Sequence, residues 1–315
     1  MRNLMRSAAV VVAGILASTS AYAQDWAPPG PVKMMIAFAA GGGADTQARL
    51  IAEELESRHG WKIIPEQVTG KGGLNAVNAL KDAPGDGTAI AMIVSETLGY
   101  NMAAAKAGKP TDVTPITTTA GTQMGIVALA SKGWKTLDDV IEAAKAGEQI
   151  RFGVMTGMLG DLAYVTGKQV GVDFNIISVR GGKAVMNGLN AGDMDVGFGA
   201  GIQAKAVIAG DMVELASARG EPLINSPDAP LLSDYGVEFV NEIAFMFAGP
   251  PDMDPAARDA IAAAIAEVVM TEGGKANEFI TKGFGGPVII AGSDLDAVVQ
   301  AAFDSSGALI AAASE

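Results

Sequence analysis

The 315-residue chain predicts an α/β fold in two lobes, on three observations: short apolar runs alternate with helical patterns, this alternation occurs twice, and the length suits two domains of ordinary size. Residues 32–38 form a mostly apolar run that reads as a buried strand, 45–59 an amphipathic helix, 62–67 a strand, 73–81 a helix and 89–94 a third strand. Such alternation implies a parallel sheet with helices on both faces. A second unit repeats it, with helix 137–146, strand 150–154, helix 159–170, strand 174–179, helix 183–190, strand 194–198, helix 202–208 and strand 212–216. A Pro- and Asp-rich stretch, 221–234, leads into an apolar segment at 239–248 and helices at 254–270 and 294–313. The strand-like passages 113–130 and 238–248 connect the units and leave a cleft between them. The expected division is 24–124 and 245–315 for lobe 1 and 125–244 for lobe 2.

Composition removes several chemistries. With 22 Lys and Arg against 35 Asp and Glu, the net charge is -13, a surface that repels nucleic-acid phosphates and anionic lipid. No cysteine is present, so thiol nucleophiles, iron–sulfur clusters and thiolate zinc sites are excluded. The single histidine, His59, sits before Gly60 at the end of a helical pattern, where a cation meets the negative end of the helix dipole. A Ser-His-Asp triad or a two-histidine metal site would need an imidazole placed elsewhere, so no metal and no cofactor are expected.

The first 23 residues carry Arg2 and Arg6, then an apolar run over 8–16, then small residues ending at Ala21-Tyr22-Ala23. That is the pattern of a secretory signal peptide with cleavage after Ala23, and the apolar run is too short to span a bilayer. No later segment reads as long and apolar enough to span one, so the expected location is the periplasm, with the mature protein not embedded in the membrane and monomeric.

The most informative stretch is Phe38-Ala39-Ala40-Gly41-Gly42-Gly43-Ala44-Asp45-Thr46, a strand end, a triple glycine and a helix start. Unpaired N–H groups and about half a positive charge converge at a helix N-terminus, and glycine lets a ligand approach the backbone, so a carboxylate or phosphate fits there. The stretch reads equally as an ordinary turn whose helix is capped by Asp45 or Thr46. It has neither the lysine of a P-loop nor the spacing of a dinucleotide fingerprint. Further glycine turns lie at 69–73 and 83–88. In the second unit, Thr156-Gly157-Met158-Leu159-Gly160-Asp161 and Arg180-Gly181-Gly182-Lys183 each follow a strand and open a helix. Should these helix starts face one cleft, an anion is gripped from both sides as the lobes close, with Arg180 and Lys183 adding charge at the rim or remaining solvated surface cations.

The order and spacing of these blocks resemble the solute-binding proteins of tripartite tricarboxylate transporters, the Bug family, over nearly all of the mature chain. The family's Phe-Pro-Pro-Gly-Gly-Gly-Thr-Asp followed by Ala-Arg is similar to residues 38–45 with Ala48-Arg49. Its Pro-Gly-Ala-Gly-Gly and Ala-Pro-Asp-Gly-Tyr-Thr blocks resemble 69–73 and 83–88. Its glycine-rich helix and Gly-x-x-Asp strand resemble 181–190 and Gly192-Asp193-Met194-Asp195, and its late strand and following helix resemble 245–251 and 254–270. The resemblance implies a periplasmic-binding-protein type II-like fold, two α/β lobes joined by two crossover strands with a ligand cleft between them. It also implies capture of a small carboxylate for membrane permease subunits, without catalysis or cofactor. The contacts it implies are Phe38, Ala39, Ala40, Gly41, Gly42, Gly43, Thr46 and Ser95 from lobe 1, with Thr156, Gly157, Met158, Asp161, Gly182 and Gly199 from lobe 2.

The chain departs from the family pattern at the ligand end. Ala39 and Ala40 replace paired prolines, Ala44 replaces a hydroxyl residue, the turn at 156–161 has lost hydroxyls, and Gly199 or Ala200 stands where a polar residue is usual. The ligand this implies keeps one carboxylate and has an apolar or bulky remainder. Asp161, if it points inward, repels a second carboxylate or accepts from a hydroxyl or ammonium; otherwise it caps a helix. The rival readings are an exported hydrolase that uses the glycine loop as an oxyanion hole, which lacks an activated nucleophile, and a subunit presenting its ligand to a membrane sensor.

Overall fold

A computed structural model describes residues 26–314; residues 1–23, expected from the sequence to be a signal peptide, lie outside them. The chain begins β1 (Val32–Ile36), α1 (Gly43–His59), β2 (Ile63–Gln67), α2 (Leu74–Lys81) and β3 (Ala89–Val94). A helical stretch over 95–105 ends in α3 (Met102–Ala105) and precedes β4 (Thr114–Gly121). The middle comprises β5 (Gly125–Leu129), α4 (Leu137–Lys145), β6 (Arg151–Val154), α5 (Gly157–Val170), β7 (Asn175–Ser178), α6 (Gly182–Ala191), β8 (Val196–Gly199), α7 (Ala204–Ile208) and β9 (Met212–Ser217). Last come β10 (Ala244–Gly249), α8 (Pro255–Met270), α9 (Lys275–Phe284) and α10 (Gly292–Ala312).

The strands form two five-stranded sheets, ordered β2-β1-β3-β10-β4 and β7-β6-β8-β5-β9. Each is mixed, which corrects the expectation of parallel sheets. The pairs of β1 with β2 and β3, and of β6 with β7 and β8, are parallel, while β10 and β5 run antiparallel to their neighbours. The reason is connectivity: a parallel neighbour is reached through a crossover helix, whereas β5 and β10 are entered directly from the other sheet. For the same reason the passage 113–130 is not one strand. It divides into β4 and β5 at 122–124, where the chain leaves one sheet for the other.

The return passage lies beside this crossing. Thr122 N–H donates to Ile243 O at 2.8 Å, Ala218 N–H to Met124 O at 2.9 Å, and Asn241 N–H to Ala218 O at 2.8 Å. Two passages bonded side by side form a narrow hinge.

Strand alternation builds the cores. Val32, Met34 and Ile36 of β1 face Ile51 and Leu55 of α1, while Met35 joins Leu74, Val77 and Leu80 of α2 on the opposite face. Burying each such side chain contributes about 1.5–3 kcal/mol. As expected, α1 stops at His59, with Gly60 left-handed (φ 69°) and its N–H donating to Glu56 O.

Two features were not anticipated. Helix α9 buries Ala276, Ile280 and Phe284 from a segment otherwise rich in Lys, Asn and Gly. Contrary to the sequence expectation, one helix among the described residues, α10, is long and apolar enough to cross a membrane by length and composition. It lies against the 97–105 stretch and β4, burying Leu295, Val299 and Leu309.

Candidate functional site

Parallel strands followed by helices place strand carboxyl ends and helix N-termini on one edge of each sheet. Here those edges face one another across the hinge and enclose a cavity of about 70 Å³, room for several waters or a small organic ligand. From lobe 1 come Phe38, Ala39, Gly42, Gly43 and Ala44 after β1, and Glu96 after β3. From lobe 2 come Thr156 and Leu159 at the start of α5, and Arg180, Gly181, Gly182 and Lys183 at the start of α6. Three helix N-termini, each with N–H groups lacking carbonyls behind them, therefore converge on one space.

The start of α1 has its own logic. Gly42 is the N-cap and receives no side-chain cap. Neither of the alternatives for Asp45 and Thr46 is realised: Asp45 instead reaches back to accept from Gly41 N–H at 2.8 Å and from Arg49 Nε at 2.9 Å, with Gln67 donating to the same carboxylate. This consumes the Gly41 amide and locks the loop, leaving the amides of Gly43 and Ala44 beside the cavity. Gly41 is left-handed (φ 74°), and a Cβ there would lie 2.9 Å from Lys183 Nζ, so this ammonium sits across the cleft against the glycine loop.

At the start of α5, Thr156 accepts from Leu159 N–H through its hydroxyl oxygen. Its hydroxyl proton remains available on the side of the cavity where the Glu96 carboxylate also lies. Arg180 and Lys183 are exposed at the mouth and form no ion pair among the described residues. In an acidic chain, this leaves a locally positive opening.

The rest of the wall is apolar, with Val94, Met124, Met155, Ile243, Phe245 and Phe284 among its members. Thr122, whose buried hydroxyl lacks a partner, and Glu96 are the exceptions. For Glu96 the burial is costly: the residue is 4% exposed, neither carboxylate oxygen has a hydrogen-bond partner, and burial pushes its carboxyl up to about 7 against weaker pulls from the Thr156 and Asn101 side chains.

Of the fourteen residues expected at the site, the cavity brings together Phe38, Ala39, Gly42, Gly43, Thr156 and Gly182. The others stand outside its lining. Ala40 and Gly41 are exposed on the loop, Thr46 lies a turn into α1, and buried Ser95 accepts from Ala244 N–H of β10. Gly157 is exposed and Met158 packs on the core. Gly199 abuts Gln203, whose side chain fills the space a Cβ would need; Ala200 lines the cavity instead. Asp161 does not cap α5; its carboxylate accepts from the Tyr100 hydroxyl, joining lobe 2 to the 97–101 stretch of lobe 1, and burial raises its pKa.

Sequence reasoning passed over Glu96, Phe284 and the hinge residue Met124. Only Phe284 had a signal, the four-residue spacing of Ala276, Ile280 and Phe284. The glycine cluster 69–73 has a supporting role: Gly72 O accepts from Thr97 Oγ1 and Asn101 Nδ2, and a Cβ on Gly72 or Gly73 would strike those side chains.

Two α/β lobes on a paired-strand hinge, with helix N-termini gathered in the cleft, define the class of periplasmic-type solute-binding proteins. Within that class the chain belongs to the tripartite tricarboxylate transporter receptor family: residues 47–314 match the family TctC, "Tripartite tricarboxylate transporter family receptor". Protein BugT of Bordetella pertussis is 25% identical over 276 residues, covering 80% of this chain and 81% of that protein. The solved structure of R. palustris Rpa4515 with adipate superposes with a TM-score of 0.80 at 18% identity, covering 91% of this chain and 98% of its own. MatC from Rhodopseudomonas palustris with bound malate gives 0.77 at 19% identity, covering 90% and 99%. The family consists of extracytoplasmic substrate-binding receptors rather than enzymes.

Proposed function

We propose that the protein captures a small carboxylate with an apolar remainder and delivers it to the membrane-embedded subunits of a tripartite transporter, after export and removal of residues 1–23. The observation that carries this reading is the convergence of the α1, α5 and α6 N-termini, with two unpaired cations, on one largely apolar cavity. Backbone amides of Gly43 and Ala44, the Thr156 hydroxyl and the Arg180 and Lys183 side chains hold the carboxylate, and the aliphatic and aromatic wall takes the rest. Relatives whose solved structures contain adipate or malate support the choice of a carboxylate. The hinge at 122–124 and 218–243 divides lobe 1, built from 24–124 and 245–315, from lobe 2, built from 125–244, and lets the two close over the ligand.

A thermal-shift screen of mono- and dicarboxylates tests the reading: a ligand at one hundred times its dissociation constant stabilises the native state by about 2.7 kcal/mol. Gly42→Val checks the loop. Gly42 is extended (φ -81°, ψ 175°), a conformation valine adopts, and the new Cβ meets only the Ala39 carbonyl oxygen, at 3.3 Å, a tight contact that the loop, exposed at Ala40 and Gly41, must relieve by a small shift. The isopropyl group projects beside the cavity, and calorimetric affinity is expected to fall at least tenfold while the protein stays folded. Unchanged affinity removes this loop from the site. Arg180→Gln is expected to weaken carboxylate binding about tenfold, the worth of one charge-assisted hydrogen bond; a change under twofold by the same calorimetry makes Arg180 a solvated bystander.

A further inference from the structure

We infer that Glu96 selects the ligand, so that the site takes a carboxylate carrying a hydrogen-bond donor, an ammonium or a hydroxyl group, and disfavours a second carboxylate. The inference rests on the carboxylate reading and adds the group at the ligand's other end.

Glu96 follows β3, the central strand of its sheet, and sits in the cavity wall beside Val94 and Phe245. Both Oε atoms are shielded from solvent and lack a partner. Such a group is costly to bury and is ordinarily paired with a donor or a cation. Among the described residues none forms a hydrogen bond with it: the Thr156 hydroxyl and the Asn101 amide, itself engaged with Gly72 O, stand close enough only to pull weakly on the carboxyl, and Arg180 and Lys183 are exposed at the mouth. A carboxylate set in the wall of a cavity and left without a hydrogen bond by the residues around it is completed by a donor on the ligand.

Charge balance sharpens the class. Arg180 and Lys183 bring two positive charges to the cavity, and at pH 8, where Glu96 is ionised, it and one ligand carboxylate bring two negative ones. A second ligand carboxylate would lie unneutralised near Glu96 in a largely apolar space, where like charges repel strongly. An ammonium or hydroxyl instead gives Glu96 the bond it lacks, and sites built to bond an O–H or N–H discriminate steeply against analogues without one.

The test is calorimetric titration of the whole protein, wild type, Glu96→Leu and Glu96→Gln, with butanoate and hexanoate, their terminal hydroxy and amino derivatives, and succinate and adipate. Wild type is expected to bind a hydroxy or amino acid at least tenfold more tightly than the parent acid and the diacid, and Glu96→Leu, which keeps the volume and removes the acceptor, to lose that order. Glu96→Gln separates the two donors: it retains a preference for hydroxyl and loses one for ammonium. Equal or tighter binding of the parent acid or diacid by wild type, or an unchanged order in Glu96→Leu, overturns the role of Glu96 while leaving carboxylate capture standing. Absence of binding by every acid to wild type overturns the carboxylate reading and this inference together.

Discussion

Glu96→Gln is expected to stabilise the ligand-free protein at alkaline pH, shifting its unfolding free energy relative to wild type by about 3 kcal/mol between pH 4 and pH 8. In the folded protein, burial holds the Glu96 carboxyl near 7, against an ordinary value of 4.5. A tenfold change in protonation equilibrium corresponds to about 1.4 kcal/mol, which sets the size of the effect. Below pH 4.5 the group is protonated whether the chain is folded or not, and wild type suffers no ionisation penalty. Between 4.5 and 7 the unfolded chain ionises freely while the folded one resists, so stability drains away as pH rises; above 7 the loss is complete. Glutamine cannot ionise and avoids it. Urea unfolding of both proteins at the two pH values measures the difference, and a gap constant within 1 kcal/mol shows that the Glu96 carboxyl is solvated or paired. The same penalty is what a ligand donor relieves, so the residue that makes the empty cleft less stable also rewards its occupation.

What the sequence disclosed and what it concealed follow from the range of the interactions involved. The triple glycine at 41–43 was legible because a strand end, a glycine turn and a helix start are local, and a ligand approaching backbone amides needs just that pattern. The strand–helix alternation was legible for the same reason. Glu96 was not, since Ser95-Glu96-Thr97 after an apolar strand reads as an ordinary polar helix start. Its burial is a tertiary product: Gly72 and Gly73, far away in sequence, bring their backbone under Thr97 and Asn101, and β10 bonds Ser95 from the other side. Phe284 arrives from a helix whose only local mark is the four-residue spacing of Ala276, Ile280 and Phe284, and its reach to both Phe245 and the glycine loop is set by tertiary packing. The antiparallel strands β5 and β10 escaped because their direction is set by where the hinge enters each sheet, and no residue type records that. Arg180 and Lys183 were visible as cations, but only the facing of the two lobes distinguishes a rim charge at a cavity from one on an open surface.

Asp195→Ala is expected to destabilise the protein by about 2–4 kcal/mol at neutral pH and to leave ligand affinity of the folded protein unchanged. Asp195 was readable as the acid of a Gly-x-x-Asp block, and the structure supplies its purpose. Gly192 ends α6 in a left-handed conformation (φ 75°), and the chain turns to enter β8 with Asp195 just before the strand. There the carboxylate accepts four bonds: from Lys132 Nζ at 2.6 Å, from Arg151 Nε and Nη2 at 2.9 Å each, and from Arg151 backbone N–H at 3.0 Å. It thereby ties the starts of β6 and β8 to the turn after β5. Burial alone would raise its pKa, but the bonds from Arg151 and Lys132 outweigh that and hold it well below the usual carboxylate range. Alanine leaves the Arg151 amide without its acceptor, while Lys132 and Arg151, each about a third exposed, recover water and moderate the loss. Because the folded-state pKa is depressed, the stabilisation is present in full above the ordinary aspartate value near 4 and lost only as pH falls through the lower folded value. The deficit in urea unfolding should therefore be the same at pH 6 and pH 8. The cavity lies at the opposite, carboxyl end of β6 and β8, so calorimetric affinity tells the roles apart: a loss of binding without a loss of stability would move Asp195 from the scaffold to the site.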